Sequence, residues 1–327
     1  MPHASDEYRA LTDGVGSCDL SDFVRIEMTG RDAVSFLHNL CTQDLKRLNP
    51  GEGCEAFITN VQGKIVGHLV VLRPKEGLVL LAVPGDTGRL IGHLDRYCIR
   101  EDVQFIDRSS TWGIGMVAGA ASGTCLTRLV GALPADCYDH RQLTPPFVGA
   151  SVARVAWGGP AAFVIYGDRE AVASLAAQVT SAGGVQCSRE ALDVLCIEQG
   201  WPWYGRDMTD QNLPQEIGRD ARAISFTKGC YLGQETVARI DARGHVNWHL
   251  VGVCFDGDEL PAADLPLENA NTVVGRVTSA VHSPRAGGPL AWAYVRRGFE
   301  TPGTRLQSTV GPAEVVRLPI GGCLSEA

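Results

Sequence analysis

Residues 26–40 read IEMTGRDAVSFLHNL, and residues 163–179 read FVIYGDREAVASLAAQV. Each holds an apolar stretch of strand character, a glycine, a charged residue able to cap a helix, and then an Ala/Val/Leu-rich helical pattern. With one insertion, Gly30-Arg31-Asp32-Ala33-Val34 matches Gly167-Asp168-Arg169-Glu170-Ala171-Val172. The copies lie too far apart for a solenoid, whose repeats run roughly 20–50 residues. They point instead to two related α+β halves. The alternative is that any strand–turn–helix unit shares this grammar.

Working outward, the segments EAFITN, IVGHLVVLR and LVLLAV, separated by the turns VQGK and PKEG, form a meander of three strands. A helix follows, with Leu90, Leu94 and Tyr97 on one face and Asp86 or Thr87 as its N-cap. VQFID and WGIGMVAG read as further strands, and ASGTCLTRLVGAL as a short helix. Gly113-Ile114-Gly115 with Ala118 has a dinucleotide-loop spacing, but no apolar strand precedes it and no matching acid follows. Beyond about residue 245 the period changes. HLVGVCF, TVVGRVTSAV, PLAWAYV, TRLQSTV and AEVVRLP are short strands between Gly, Pro, Asn and Asp, the pattern of a small antiparallel barrel or sandwich. The expected division is an α+β unit of two related halves over residues 1–244 and a β domain over residues 245–327.

The chain has 327 residues, 45% of them apolar and 20% charged, as in a globular protein. Its net charge of −8 argues against direct nucleic-acid binding, which shows as basic excess. No run of about 18 apolar residues occurs, so no membrane span is expected, and the start MPHASDEYRALTDG lacks the plan of a signal peptide. The eleven cysteines are scattered without a CxxC pair, which suits a reducing cytoplasm and suggests no zinc or cluster site. Those in RYCIR, VLCIEQ and VGVCF read as buried small hydrophobes. The GxSxG, Walker A and HExxH motifs are absent.

Chemistry concentrates in residues 198–245, too long for a bare connector. This stretch holds two Trp, two Tyr, several Arg and several carboxylates, the ingredients for a flat heteroaromatic ligand. Glu198 ends the helix pattern SREALDVLCIEQG, capped by Ser188, and either points inward or sits on a solvated helix end. In KGCYLGQETVARI (228–240), Cys230 precedes a helix starting near Gly233, and Lys228 lies two residues before it. Both features favour a thiolate. A functional thiol and a small turn residue remain the two local readings. His245 and His249 have a metal-pair spacing but straddle the expected domain boundary, and no metal site is expected.

The octapeptide KGCYLGQE (228–235) resembles the signature of the YgfZ-type folate-binding proteins, relatives of the glycine-cleavage T-protein, the aminomethyltransferase. MTGRDAVSFLHNLCTQDLKRLNPGEGCEAFITNVQGKI (28–65), IEQGWPWYGRDM with LPQE (197–216), and RVTSAVHSPRAGGPLAWAYV (276–295) are similar to further blocks of that family, in its order. The resemblance implies a duplicated folate-binding α+β domain and a small antiparallel β-barrel around a central channel that takes a tetrahydrofolate. It implies that Glu198 grips the pterin ring, with Tyr204 and Arg206 helping to line the pocket, and that Cys230 with Lys228 forms the functional motif. Aligned on Asn60 and Gly63, the aminomethyltransferases' Asp pair falls at Gly67 and His68, neither of which brings a carboxylate. The YgfZ branch is linked to assembly or repair of iron–sulfur proteins and to tRNA thiolation. The expected partners are therefore folate and iron–sulfur enzymes or their assembly factors. A folate-dependent aminomethyltransferase or demethylase is the rival reading.

Overall fold

The strand Ile65–Leu72 is buried at every position, so both of its faces must be covered. The computed structural model, which describes residues 4–85, 87–159 and 161–321, shows what covers them. Val70 and Leu72, with Val79 and Leu81 of the neighbouring strand Leu78–Ala82, pack against Ile114, Met116, Ala153 and Val164 of a second sheet. Leu69 and Val71, with Leu78 and Leu80, face Phe36 and Leu37 of helix Ala33–His38 and Leu90 and Leu94 of helix Thr87–Asp95. Side chains alternate across a strand, so a run apolar at every position has to lie between two layers. The outer face of the second sheet, through Val152, Phe163 and Ile165, packs on helices Ser122–Val130 and Arg169–Ser181. The result is four layers: helices, sheet, sheet, helices.

The first sheet runs Gly53–Thr59, Ile65–Leu72, Leu78–Ala82, Val24–Thr29, Gln104–Asp107. The second runs Val185–Cys187, Gly16–Asp19, Trp112–Ala118, Ala162–Asp168, Ala150–Val155, His140–Gln142. Both follow one chain order of strand, helix, three strands, helix, strand, and only Gly16–Asp19 is extra, inserted parallel to Val185–Cys187. The duplication is real, but its phase differs from the sequence reading. Strand Val24–Thr29 with helix Ala33–His38 corresponds to Trp112–Ala118 with Ser122–Val130, not to residues 163–179. The corresponding turns share their geometry. The Ala33 N–H donates to the Gly30 carbonyl, and the Ser122 N–H to that of Gly119. Gly30 has φ +105° and Gly119 φ +113°, and a Cβ on either would lie within 2.4 Å of a backbone oxygen. The sequence match found the shared grammar of the turn and missed which copy carried it.

The expected caps divide. The Asp168 side chain accepts from the N–H groups of Glu170 and Ala171, whereas Asp32 makes no cap and accepts instead from the Asp102 N–H. Asp86 lies outside the described residues. Gly113 to Ala118 lie inside a strand rather than a nucleotide loop.

Six antiparallel strands close the barrel in the order Trp248–Phe255, Gly288–Arg296, Thr272–Ser283, Pro266–Asn269, Arg305–Ser308, Gly311–Val316. Pro266–Asn269 was not among the strands read from sequence. Along Gly288–Arg296, Ala291, Ala293 and Val295 fill the barrel, while Leu290, Trp292 and Tyr294 pack outward on Phe57, Ile65, Ile197 and Ile217. Among the described residues no helix is long and apolar enough to cross a membrane, and no cysteine is paired. Cys196 is buried as expected, but Cys98 and Cys254 are only half-buried.

Asp207 fastens the barrel to the α+β unit. Its buried carboxylate accepts from the Trp203 N–H at 2.8 Å and from the hydroxyls of Thr278 at 2.9 Å and Ser279 at 2.5 Å. Asp207→Ala leaves these donors unmet and should cost about 2–4 kcal/mol. The check is the urea midpoint at unchanged m-value; a shift worth under about 0.5 kcal/mol would remove Asp207 from this role.

Candidate functional site

A cavity of about 870 Å³ lies where the two halves and the barrel meet. Glu55 comes from the first half, Tyr138 and Arg154 from the second, Gln199 from just beyond helix Arg189–Glu198, and Arg285 from the barrel. Its walls combine strand and helix residues such as Glu55, Arg154 and Leu195 with loop and turn residues such as Tyr138 and Arg285.

Glu198 ends that helix, whose start is fixed by the Ser188 hydroxyl accepting from the Ala191 N–H. The apolar face with Leu192, Leu195 and Cys196 turns into the core, and Glu198 follows it to zero solvent exposure. A buried carboxylate must be hydrogen-bonded or paired. Tyr8 of helix Ala4–Thr12 donates to its Oε2 at 2.7 Å, the Ser283 hydroxyl to Oε1 at 2.5 Å, and the Arg285 N–H to Oε1 at 3.3 Å. The Arg285 Nε stands 3.7 Å from Oε2. Burial and this carboxylate together push the Tyr8 phenol well up, so it stays a donor.

Glu198 does not itself line the cavity, although its partner Arg285 and its neighbour Gln199 do; a second buried carboxylate, Glu55, lies on the cavity wall. Arg219 donates to both of its oxygens, His68 Nε2 bonds one at 2.7 Å, and the Tyr138 hydroxyl donates to the other at 2.9 Å. Burial pushes the Glu55 carboxyl up, but the Arg219 guanidinium and the His68 bond outweigh it and hold the group well below the ordinary carboxylate range. His68 is stacked between Phe57, at 4.9 Å, and Trp201, at 4.7 Å. Burial pushes this imidazole down by more than Glu55 raises it. The ring is therefore neutral, with its proton on Nε2 and its Nδ1 without a hydrogen-bond partner.

The segment 228–233 is a strap along the first half. Lys228 is buried, and its ammonium donates to the carbonyls of His38, Cys41 and Gln43, which uses all three N–H groups. The ammonium also stands 4.9 Å from the centre of the Tyr231 ring. The Leu232 N–H donates to Asn39, and its carbonyl accepts from Thr59. Gly233, at φ +81°, lies so close to the turn at Asn60–Gly63 that a Cβ would come within 2.4 Å of the Asn60 oxygen. Lys228 thus anchors the strap through three carbonyls. Cys230 is exposed on this strap and does not line the cavity. The helix behind it, Gln234–Arg243, begins where expected.

Tyr204 lies under the Arg89 guanidinium at 5.1 Å and lines a small cavity of about 30 Å³ with Gly67 and His68. Arg206 pairs with Asp193 and Asp207 and lies over Trp203, away from the large cavity. Trp201 and Trp203 are core residues rather than stacking platforms, because their rings fill the space between helix Arg189–Glu198 and the sheets. His249 lies on a strand, so its spacing from His245 is not that of a helical pair. Among the described residues no group of three or more His, Cys, Asp or Glu is placed to hold a metal.

The GCVT N-terminal domain model matches residues 1–228, and the glycine cleavage T-protein C-terminal barrel domain model matches residues 249–320. The chain belongs to the glycine-cleavage T-protein family. It is 28% identical over 329 residues to the aminomethyltransferase of Nostoc sp., covering 96% of this chain and 86% of that one. To the aminomethyltransferase of Streptomyces avermitilis it is 28% identical over 331 residues, covering 96% and 88%. The fold matches the crystal structure of the glycine cleavage system aminomethyltransferase T from Bartonella henselae, with a TM-score of 0.88 at 20% identity over 97% of this chain and 89% of that one.

Within this T-protein fold, sequence reasoning missed Tyr8, Glu55, Tyr138, Arg219, Ser283 and Arg285. Of these, Ser283 and Arg285 lie in the carboxy-terminal block and Glu55 in the amino-terminal block that the resemblance rests on. His68 makes a testable contribution to acid sensitivity. Its folded pKa lies below the unfolded value of about 6.5, so unfolding takes up a proton and stability falls as pH drops below that value. His140, which burial pushes down to about 4, adds to the same slope. His68→Gln keeps a donor for Glu55 and should flatten, without abolishing, the fall of the urea midpoint between about pH 6.5 and 5. An unaltered slope would exclude His68 as a source.

Proposed function

We propose that this chain binds tetrahydrofolate, or a one-carbon derivative of it, in the cavity shared by its three units and works as a folate-dependent one-carbon (aminomethyl or methyl) transferase. The observation that carries the reading is the buried Glu198 carboxylate, whose partner Arg285 and neighbour Gln199 line a cavity of about 870 Å³. A pterin presents two neighbouring N–H donors on its aminopyrimidine edge, and a carboxylate can accept both. The volume suits a ligand of that size. Arg154 and Arg222, also on the wall, offer charge to the ligand's glutamate carboxylates. Tetrahydrofolate supplies nitrogens that carry a one-carbon unit; this chain's residues bind and orient it. Gly67 and His68 bring no carboxylate, but Glu55, held ionised, places one on the wall. The relatives named aminomethyltransferase support this reading.

Titration of tetrahydrofolate against intrinsic tryptophan fluorescence tests it. A saturable change at micromolar ligand is expected, with Kd raised at least about tenfold in Glu198→Gln, the loss of one charge-assisted pair. No saturable change, or an unchanged Kd in the variant, would overturn the assignment. Sustained formation of 5,10-methylenetetrahydrofolate from an aminomethyl thioether donor, with release of ammonia and the free thiol, tests the transferase half.

The exposed thiol favours a second reading, a YgfZ-type protein that supports assembly or repair of iron–sulfur proteins and, indirectly, tRNA modification. Lys228 and Tyr231 are fixed by packing, yet Cys230 between them faces solvent, where packing does not require a thiol. On this reading Cys230→Ala fails to complement an iron–sulfur maintenance defect while its folate affinity is unchanged. Full rescue would return Cys230 to a turn residue.

A further inference from the structure

Strands Gly16–Asp19 and Val185–Cys187 run side by side in parallel, and their register sets Cys18 directly opposite Cys187. Both side chains enter the core between the two sheets. Neighbouring strands stand about 4.8 Å apart, inside the Cα separation of about 4.4–6.8 Å that a disulfide spans. The thiols are already in contact. The Cys187 thiol donates to the carbonyls of Val185, at 3.3 Å, and Glu7, at 3.5 Å, while the Cys18 thiol donates to the Cys187 sulfur. That bond pulls the Cys187 thiol down and pushes the Cys18 thiol up. Neither cysteine lines the large cavity.

Val185–Cys187 is an edge strand of three residues, held to the sheet by one short ladder. It leads directly into Ser188 and the helix Arg189–Glu198. The Glu7 carboxylate accepts from the Ser188 N–H at 2.9 Å and from its hydroxyl at 2.5 Å, and the next residue, Tyr8, donates to Glu198. Helix Ala4–Thr12 therefore braces both ends of the helix that carries Glu198, and the cysteine pair sits beside the first brace.

We propose that Cys18 and Cys187 are a redox modification site, at which a peroxide makes a reversible disulfide that clamps the edge strand to its neighbour and so fixes the start of the helix ending at Glu198. The Cys187 thiolate attacks one oxygen of hydrogen peroxide, the O–O bond breaks, and a sulfenic acid forms as hydroxide leaves. The Cys18 sulfur then attacks the Cys187 sulfur; the S–S bond forms and the S–O bond breaks. The protons of the two thiols leave with the two oxygens as water, the sulfurs being oxidised and the peroxide reduced. A thiol of lowered pKa next to a resolving thiol is the pairing this chemistry needs. Local opening of a short edge strand costs little and admits a molecule as small as peroxide. A reducing thiol reverses the step by exchange.

The test treats the full chain with hydrogen peroxide, alkylates the remaining thiols under denaturing conditions, and maps the disulfides by mass spectrometry. A peptide pair joined through Cys18 and Cys187 and released by reduction is expected, with the Tm raised by about 3 °C or more. Cys18→Ala and Cys187→Ala should each lose the cross-link and the rise. The mapping is read on the wild-type chain, so it decides the matter even where a variant fails to fold. Both cysteines alkylated after treatment, Cys187 carried to the sulfinic acid without a link, or Cys18 joined instead to Cys196 of the same core cluster would overturn the site. A cross-link without a rise in Tm would overturn the clamp. Neither readout involves folate, so the outcome is independent of the transferase reading.

Discussion

Burying a carboxylate costs several kcal/mol unless its lone pairs are met by donors or a cation, and this chain buries Glu55, Glu198 and Asp207 where its units join. Glu55 is met by Arg219, His68 and Tyr138, drawn from the first half, the second half and the connector. Glu198 is met by Tyr8, Ser283 and Arg285, drawn from the first helix and the barrel. Neither set can assemble unless all the contributing elements are docked. These anions therefore tie assembly of the fold to formation of the cavity, which Glu55 and the Glu198 partner Arg285 both line.

The connector, residues 200–247, turns this constraint into architecture. Its polar, Gly-rich composition suggests a ligand loop, yet its side chains mostly join surfaces. Trp201 and Trp203 enter the core between the sheets. Met208, Ile217 and Val237 fill the seam between the barrel's outer face and the first half. Asp207 gathers donors from the barrel, and Lys228 spends its charge on three carbonyls. Sequence cannot separate these roles from ligand binding, because a buried polar side chain that satisfies backbone groups and one that satisfies a ligand use the same atoms.

The layered α+β unit was legible because it rests on local rules. Strands apolar at every position, such as Ile65–Leu72, require cover on both faces, and short alternating strands after residue 245 require a closed or paired sheet. The phase of the duplication was not legible. Strand–glycine–helix turns occur in several places, and only the sheet order shows that Gly119, not Gly167, is the partner of Gly30. Of the named site residues, Glu198 was visible as an acid on an apolar helix. Lys228 and Tyr204 meet partners distant in the chain, which sequence does not bring together, whereas Arg206 pairs with Asp193 and Asp207 close by.

Sequence alone therefore determined the class of fold, most of the helices and strands, and one of the buried acids, Glu198. These follow from periodicity and from the cost of burying charge, both local properties. Tertiary structure decided which carbonyls hold Lys228, that Cys230 faces outward, that Glu55 stands ionised on the cavity wall, and that Arg285 covers Glu198. Apart from the exposure of Cys230, each of these is a pairing between residues far apart in sequence, and only the packing of sheets, connector and barrel brings such residues together.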